Sequence, residues 1–198
     1  AAEAGVLIRN GEAVQTASKI TAMVLDKTGT ITEGVPAVTD VITTGDRNED
    51  EILRLASSLE AGSEHPLALA IVESAQKRDI KQAKISGFDA ISGQGVKATL
   101  DGLELLFGNQ TLMQENAVAI DDYIDKAQAL ATQAKTPMYF AVDNKLQAII
   151  AVADPIKKDS IAAIKRLRQQ GIKVIMLTGD NRDTAKAVAR LAGVEDFF

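Results

Sequence analysis

Apolar and polar positions change period along this chain, and the changes mark its organisation. Ala22 to Leu25 is a short unbroken apolar run, the pattern of a strand buried in a parallel sheet, and Val174 to Leu177 repeats it near the other end. Between them, Val38 to Thr43 reads as a strand and Glu49 to Glu60 as a helix with Ile52, Leu53, Leu55 and Ala56 on its apolar side. A second helix starts at Pro66, a residue suited to a first helical turn, and buries Leu67, Ala70 and Ile71. Strand-like segments follow at Ile85 to Ile91, Val96 to Leu100 and Leu103 to Phe107. Asp101 and Gly102 form the dipeptide of a tight hairpin, and Asp143 with Asn144 does the same between MYFAV and KLQAIIAV. Helical patterns at Gln110 to Glu115 and Asp121 to Ala134 interrupt these strands.

Breakers divide the chain. Asn10 and Gly11 signal a turn, followed by a short helical pattern that leads into the first apolar strand. Glu33, Gly34 and Pro36 then end that unit and open another. From Asp154 the order becomes helix, strand, helix: Asp159 is placed to cap a helix carrying Ile161, Ile164 and Leu167 that stops at Gly171, and a last helix begins near Asp183. These patterns predict an α/β protein in which residues 1–34 and 153–198 build a parallel sheet. Residues 35–152 form an α+β insert, an antiparallel sheet flanked by helices.

Composition narrows the function. With 198 residues the chain can bury two small cores, and a formal charge of −5 disfavours broad attraction to nucleic acid or to an anionic membrane. Cysteine is absent, which excludes disulfides and thiolate metal sites within the chain. No apolar run approaches the roughly 20 residues that cross a bilayer.

The chemistry is concentrated in DKTGTIT, Asp26 to Thr32, directly after the first apolar strand. Ligands of open α/β sheets bind at the carboxyl ends of strands, and an aspartate there is an anionic oxygen nucleophile able to attack phosphorus. Lys27 brings positive charge, Thr28 and Thr30 bring hydroxyls and turn amides, and Gly29 permits close backbone approach. A solvated turn after a strand is the plain alternative. Thr178, Gly179 and Asp180 end the second apolar strand in the same manner, either as a phosphate loop ahead of a helix or simply as a capped turn.

DKTGTIT resembles the phosphorylation motif of P-type ATPases, ion pumps that pass through an aspartyl-phosphate. The resemblance implies a haloacid-dehalogenase-like phosphorylation domain, truncated here, with a nucleotide-binding domain inserted after the motif. Asp26 would accept the γ-phosphoryl group of ATP, with Lys27, Thr28, Thr178, Gly179 and Asp180 around it and Mg²⁺ held by Asp26 and the Thr28 carbonyl. SEHP, Ser63 to Pro66, matches the HP motif of the heavy-metal-transporting branch, with bacterial copper exporters most similar in wording. His65 and Glu60 would contact the nucleotide, although a lone histidine before a helix also serves as a cap. Gly93 and Gly95 in SGQGVKA precede a strand, which excludes a dinucleotide fingerprint and leaves a hairpin or bulge. In the family such a GxG lets adenosine lie on bare backbone, and Asn109 matches a further contact. Asp154 and Pro155 resemble the hinge of the return crossing, and equally mark a helix start.

The resemblance further implies partners in the membrane and actuator domains of the same pump, a place on the cytoplasmic face of a membrane, and a transported metal held elsewhere. The chain ends at Phe198, before the family's GDGxND segment and the lysine preceding it, so it is expected to bind ATP and to phosphorylate Asp26 poorly by itself. Two rivals remain. A related phosphatase would hydrolyse the phosphoaspartate, but generally carries a second aspartate where Thr28 stands. A nucleotide-sensing module would never transfer phosphate.

Overall fold

The computed structural model describes residues 11–63 and 65–198; the turn expected at Asn10 and the glutamate of SEHP lie outside them. Helix α1 (Gly11–Ala17) leads to strand β1 (Ala22–Asp26). The central segment contains β2 (Ala37–Thr43), α2 (Glu49–Glu60), α3 (Pro66–Lys77), β3 (Ser86–Ile91), β4 (Gly95–Leu100) and β5 (Leu103–Gly108). It continues with α4 (Gln110–Glu115), α5 (Ile124–Ala131), β6 (Thr136–Val142) and β7 (Lys145–Ala153). The chain closes with α6 (Lys158–Gln169), β8 (Lys173–Leu177), α7 (Arg182–Ala192) and a short β9 (Asp196–Phe197).

The central strands form one six-stranded antiparallel sheet in the order β2-β7-β6-β5-β4-β3. Both hairpins expected from sequence are present. Asp101 and Gly102 have φ of 51° and 84°, and Asp143 and Asn144 of 46° and 58°, the paired positive values that match a two-residue turn to strand twist. Successive side chains of a strand point to opposite faces, so alternate residues enter different cores. Phe107, Phe140, Ile150 and Val152 pack with Ile52, Leu59 and Ile71 of α2 and α3. Leu106, Tyr139 and Ile149 pack on the other face with Met113, Ala127 and Leu130 of α4 and α5. From Ala148 to Val152 strand β7 is therefore buried on both sides, which is why that stretch of its sequence is an uninterrupted apolar run.

Strands β1, β8 and β9 form a separate parallel sheet, with Asp26 opposite Leu177. Ile164 of α6 and Val188 of α7 cover Val174 and Met176 on one face. Neither terminal strand is buried throughout, contrary to expectation: Val24 is 60% exposed and Leu177 50%. Among the described residues both helices share one face, so alternate side chains remain open.

Three local expectations are corrected. Asp159 lies in the first turn of α6 and is not its cap; the cap position is Lys157, whose extended backbone is tied through Lys157 N–H to Ile31 O at 3.0 Å, so the helix starts earlier. An acid in that turn still complements the helix dipole. Ile161 is 47% exposed, because α6 turns Ile164 inward instead. The helix read over Asp121 to Ala134 splits into a 3₁₀ turn at Asp121–Tyr123 and α5, and the chain leaves it at Ala134, where φ is 61°.

The crossings between the sheets are stitched by one carboxylate. Thr32 Oγ1 donates to Asp154 Oδ2 at 2.6 Å, while the N–H groups of Gly34 and Val35 donate to Oδ1 at 3.0 and 3.2 Å. Thr32 also bridges Ile156, and Glu33 N–H donates to Pro155 O at 2.8 Å. Asp154→Ala is expected to lower the unfolding free energy by about 1 to 2 kcal/mol, since it strands these donors. Urea denaturation of the two proteins measures it, and coincident midpoints would show that the crossing needs no carboxylate.

Candidate active site

Asp26 stands at the carboxyl end of β1, next to β8 in a parallel register that sets it beside Leu177, one residue before Thr178. Two segments far apart in sequence thus deliver their turns to the same sheet edge. The turn Lys27–Ile31 is not a regular helix: Thr28 has ψ of 122° and Gly29 φ of 74°. Only glycine adopts that φ readily, and a Cβ built there would meet no other group within 4 Å, so the turn exposes bare backbone. Its peptide is held from two sides, by Lys157 Nζ on Gly29 O at 2.6 Å and by Gly29 N–H on Thr32 Oγ1 at 3.3 Å.

The carboxylate of Asp26 makes no side-chain hydrogen bond among the described residues and is exposed. Lys27 does not pair with it. Its ammonium lies 2.7 Å from Asp180 Oδ2, with the two side chains 12% and 10% exposed. Asp180 N–H in turn donates to Thr178 Oγ1 at 3.1 Å, so the ion pair and the Thr178 hydroxyl fix the second turn against the first. Asn181 completes it by capping α7, accepting from Thr184 N–H at 3.0 Å.

The residues predicted on the insert gather from three helix ends and one hairpin. Glu60 closes α2. His65 is the N-cap of α3, its Nδ1 accepting from Leu67 N–H at 3.2 Å, so it takes the capping role and also lines the cleft. Gly93 and Gly95 form the turn between β3 and β4, as the hairpin reading had it. A Cβ on Gly95 would sit 2.2 Å from Phe107 O, so backbone packing alone excludes any side chain. Asn109 caps α4 through Oδ1 to Leu112 N–H at 3.0 Å and donates Nδ2–H to Gly93 O at 2.8 Å. Its carboxamide therefore shapes the glycine turn, while Asn109 also lines the cleft.

Both groups meet in one cleft of about 720 Å³, lined by Lys27, Thr28, Glu60, His65, Gly93, Gly95, Asn109, Thr178, Gly179 and Asp180. Asp26 alone of the predicted residues is not in the lining, although its neighbours Lys27 and Thr28 are. Glu60 is only 6% exposed and its Oε2 has no hydrogen-bond partner among the described residues. Burial raises its pKa from 4.5 to about 7, opposed by the Ser63 hydroxyl. Its place at the negative end of α2 acts in the same direction as burial. Gln94, which the sequence pattern passed over, has the second such orphan, Oε1, in the same cleft. The only signal for it was a polar side chain between two turn glycines.

This arrangement fits a nucleotide: the volume suits a small-molecule pocket, and two buried acceptors await donors. Asp26 and the Thr28 carbonyl are hard oxygen donors of the kind that bind Mg²⁺ together with phosphates and water, whereas Asp180 is already paired with Lys27. Among the described residues no cluster of three acidic, histidine or cysteine side chains forms a self-sufficient metal site.

Residues 20–198 match the haloacid dehalogenase-like hydrolases, and the chain belongs to that family. More particularly, it is 43% identical over 195 residues to a silver exporting P-type ATPase of Salmonella typhimurium, covering 98% of this chain and 24% of that protein. It is 41% identical over 196 residues to a copper-transporting ATPase of Rhizobium meliloti, covering 99% of this chain and 24% of the relative. Among solved structures, a zinc-transporting PIB-type ATPase in the E2.Pi state superposes with a TM-score of 0.74 at 32% identity, over 100% of this chain and 32% of the other. The resemblance drawn from DKTGTIT is borne out, and the chain spans about a quarter of the length of the curated relatives it matches. No helix among the described residues is long and apolar enough to cross a membrane.

The raised pKa of Glu60 has a stability consequence with a definite sign. The folded protein holds this proton where the unfolded chain has lost it, so the contribution is complete below pH 4.5 and is lost as pH rises through about 7. Glu60→Gln is therefore expected to be more stable than the parent above that range, by up to about 3 kcal/mol, and to match it under acid conditions. Thermal denaturation across this pH window tests it; parallel pH profiles for the two proteins would show that Glu60 ionises without penalty.

Proposed function

We propose that this chain is the ATP-binding and phosphorylation region of a heavy-metal-translocating P-type ATPase, with copper or the chemically similar silver ion as cargo. The observation that carries this reading is the convergence of the two predicted constellations on one cleft. Residues 35–152 serve as the nucleotide-binding domain, with residues 1–34 and 153–198 as parts of the phosphorylation domain. The separate sheets and separate cores support that division.

In this scheme the base lies between His65, Glu60 and the Gly93–Gly95 turn, and the triphosphate runs toward Lys27, Thr178 and Gly179. An oxygen of Asp26 attacks the γ-phosphorus, the new O–P bond forms as the bond to the β-phosphate oxygen breaks, and ADP departs. Mg²⁺, held by Asp26 and the Thr28 carbonyl, would neutralise charge on the transferring group. Lys27 and Asp180 keep the two turns in register, and the Thr178 hydroxyl and Gly179 backbone receive phosphoryl oxygens. Threonine at position 28 leaves no carboxylate to activate water there, so the phosphoaspartate persists long enough to be coupled to transport. The membrane and actuator domains of the same pump would be the partners, with this region on the cytoplasmic face; the transported ion binds in the membrane part.

In a transporter carrying this region, Asp26→Asn is expected to abolish the hydroxylamine-sensitive label acquired from γ-labelled ATP and to stop metal export. The same substitution should leave ATP binding by the chain intact. Persistence of the label in the Asn variant would place the phosphate elsewhere and end this proposal.

A further inference from the structure

We propose that Gln94 is a specificity-determining residue of the nucleotide site, its carboxamide acting with the Glu60 carboxyl to read the 6-amino edge of adenine and reject a 6-oxo purine. The inference rests on the nucleotide reading above and adds a residue to it. Among the described residues, the only buried side-chain polar atoms without a partner are Glu60 Oε2 and Gln94 Oε1, and both residues line the same cleft. Buried acceptors are seldom left bare, so two orphans of one kind in one cleft specify a ligand that brings donors. The 6-amino group of adenine carries two N–H donors, one for each acceptor.

A carboxamide offers an acceptor and a donor side by side, whichever way its two ends are assigned. That pair matches the adjacent N6–H and ring nitrogen of adenine, the match by which glutamine reads adenine in nucleic acids. On the same edge a 6-oxo purine presents acceptors at both the 6-position and the neighbouring ring nitrogen, so the carboxamide can pair with only one of them and its own oxygen finds no donor. Discrimination of this kind is strong, because the mismatched ligand leaves buried polar groups unpaired.

Gln94 is also held in place. Its N–H donates to Ile91 O at 3.0 Å, and its carbonyl accepts from Asn109 N–H at 2.8 Å. The flanking Gly93 and Gly95 have φ of 71° and 147°, which fixes the turn in a form that larger residues rarely adopt. Asn109 Nδ2 on Gly93 O adds a third tether, so the side chain leaves a rigid loop.

The test is equilibrium binding of ATP, GTP and ITP to the chain and to Gln94→Leu, with Gln94→Ala carrying the same expectation should the leucine variant fail to fold. ITP isolates the 6-position because it lacks the 2-amino group of GTP. The parent is expected to prefer ATP, and the variant to bind ATP about tenfold more weakly with ITP affinity unchanged, so that the preference collapses. Equal losses for ATP and ITP would reduce Gln94 to a structural part of the turn, and no loss for either would remove it from the site; both outcomes overturn the inference and leave the nucleotide reading standing. A parent chain that binds none of the three overturns both.

Discussion

A chain that leaves one sheet to build another and then returns must cross the boundary twice, and here the two crossings are bound to each other by the Asp154 carboxylate. One oxygen receives the Thr32 hydroxyl and the other receives the N–H groups of Gly34 and Val35. The residues so joined are 119 to 122 positions apart in sequence. Closing a loop of that length costs entropy that grows only slowly with length, so a few well-placed hydrogen bonds can hold it shut once the insert has folded. Thr32 is the last residue of DKTGTIT, and Lys157, three positions after Asp154, donates to Gly29 O within the same motif. The return crossing therefore supports the shape of the Lys27–Ile31 turn as well as the position of the insert.

A second contact sets the insert against the parallel sheet. Thr184, buried at the start of α7, donates its hydroxyl to Lys135 O at 2.8 Å, while the Lys135 ammonium pairs with Asp40 on β2 at 2.8 Å. Ala134 joins the core formed by α6, α7 and β8. The early end of α5 follows from this: a helix continued through Ala134 would carry Lys135 away from Thr184. The cleft is thus built from both units, with the glycine turn contributed by the insert and the turns at Lys27 and Thr178 by the parallel sheet.

Much of this was legible because it is local. DKTGTIT, the two positive-φ hairpins and the proline at the start of α3 depend on neighbours in sequence, and the structure places them as read. Burial of Val24, Leu177 and Ile161 was misjudged because apolar character sets what a residue prefers, whereas the layout of α6 and α7 decides which face is covered. Asp159 looked like a cap because the pairing of Ile31 O with Lys157 N–H, which starts the helix earlier, links residues distant in sequence. Strand β9 is two residues long and carries no periodicity to detect. Asn109 was read as a ligand contact, and its two hydrogen bonds give it a shaping role that residue type alone does not reveal.

The electrostatics of the cleft assign its two ends different work. At the end proposed for the phosphates the nearby lysines are already engaged, Lys27 with Asp180 and Lys157 with the Gly29 carbonyl. Separating a largely buried ion pair would strand a desolvated carboxylate, so Lys27 serves better as a fixed brace than as a mobile cation. On the proposed reading, positive potential for a phosphoryl group would come chiefly from turn amides and the first turn of α7, sources that bring no compensating side-chain entropy cost. At the other end burial raises the pKa of Glu60 to about 7 and so reduces its negative charge, which would lower the repulsion of the proposed triphosphate in a chain of net charge −5. The proposed recognition of the base and acceptance of the phosphate would be separated in space, and each end is tuned by what surrounds it: desolvation around the Glu60 carboxyl, ordered backbone beside Asp26.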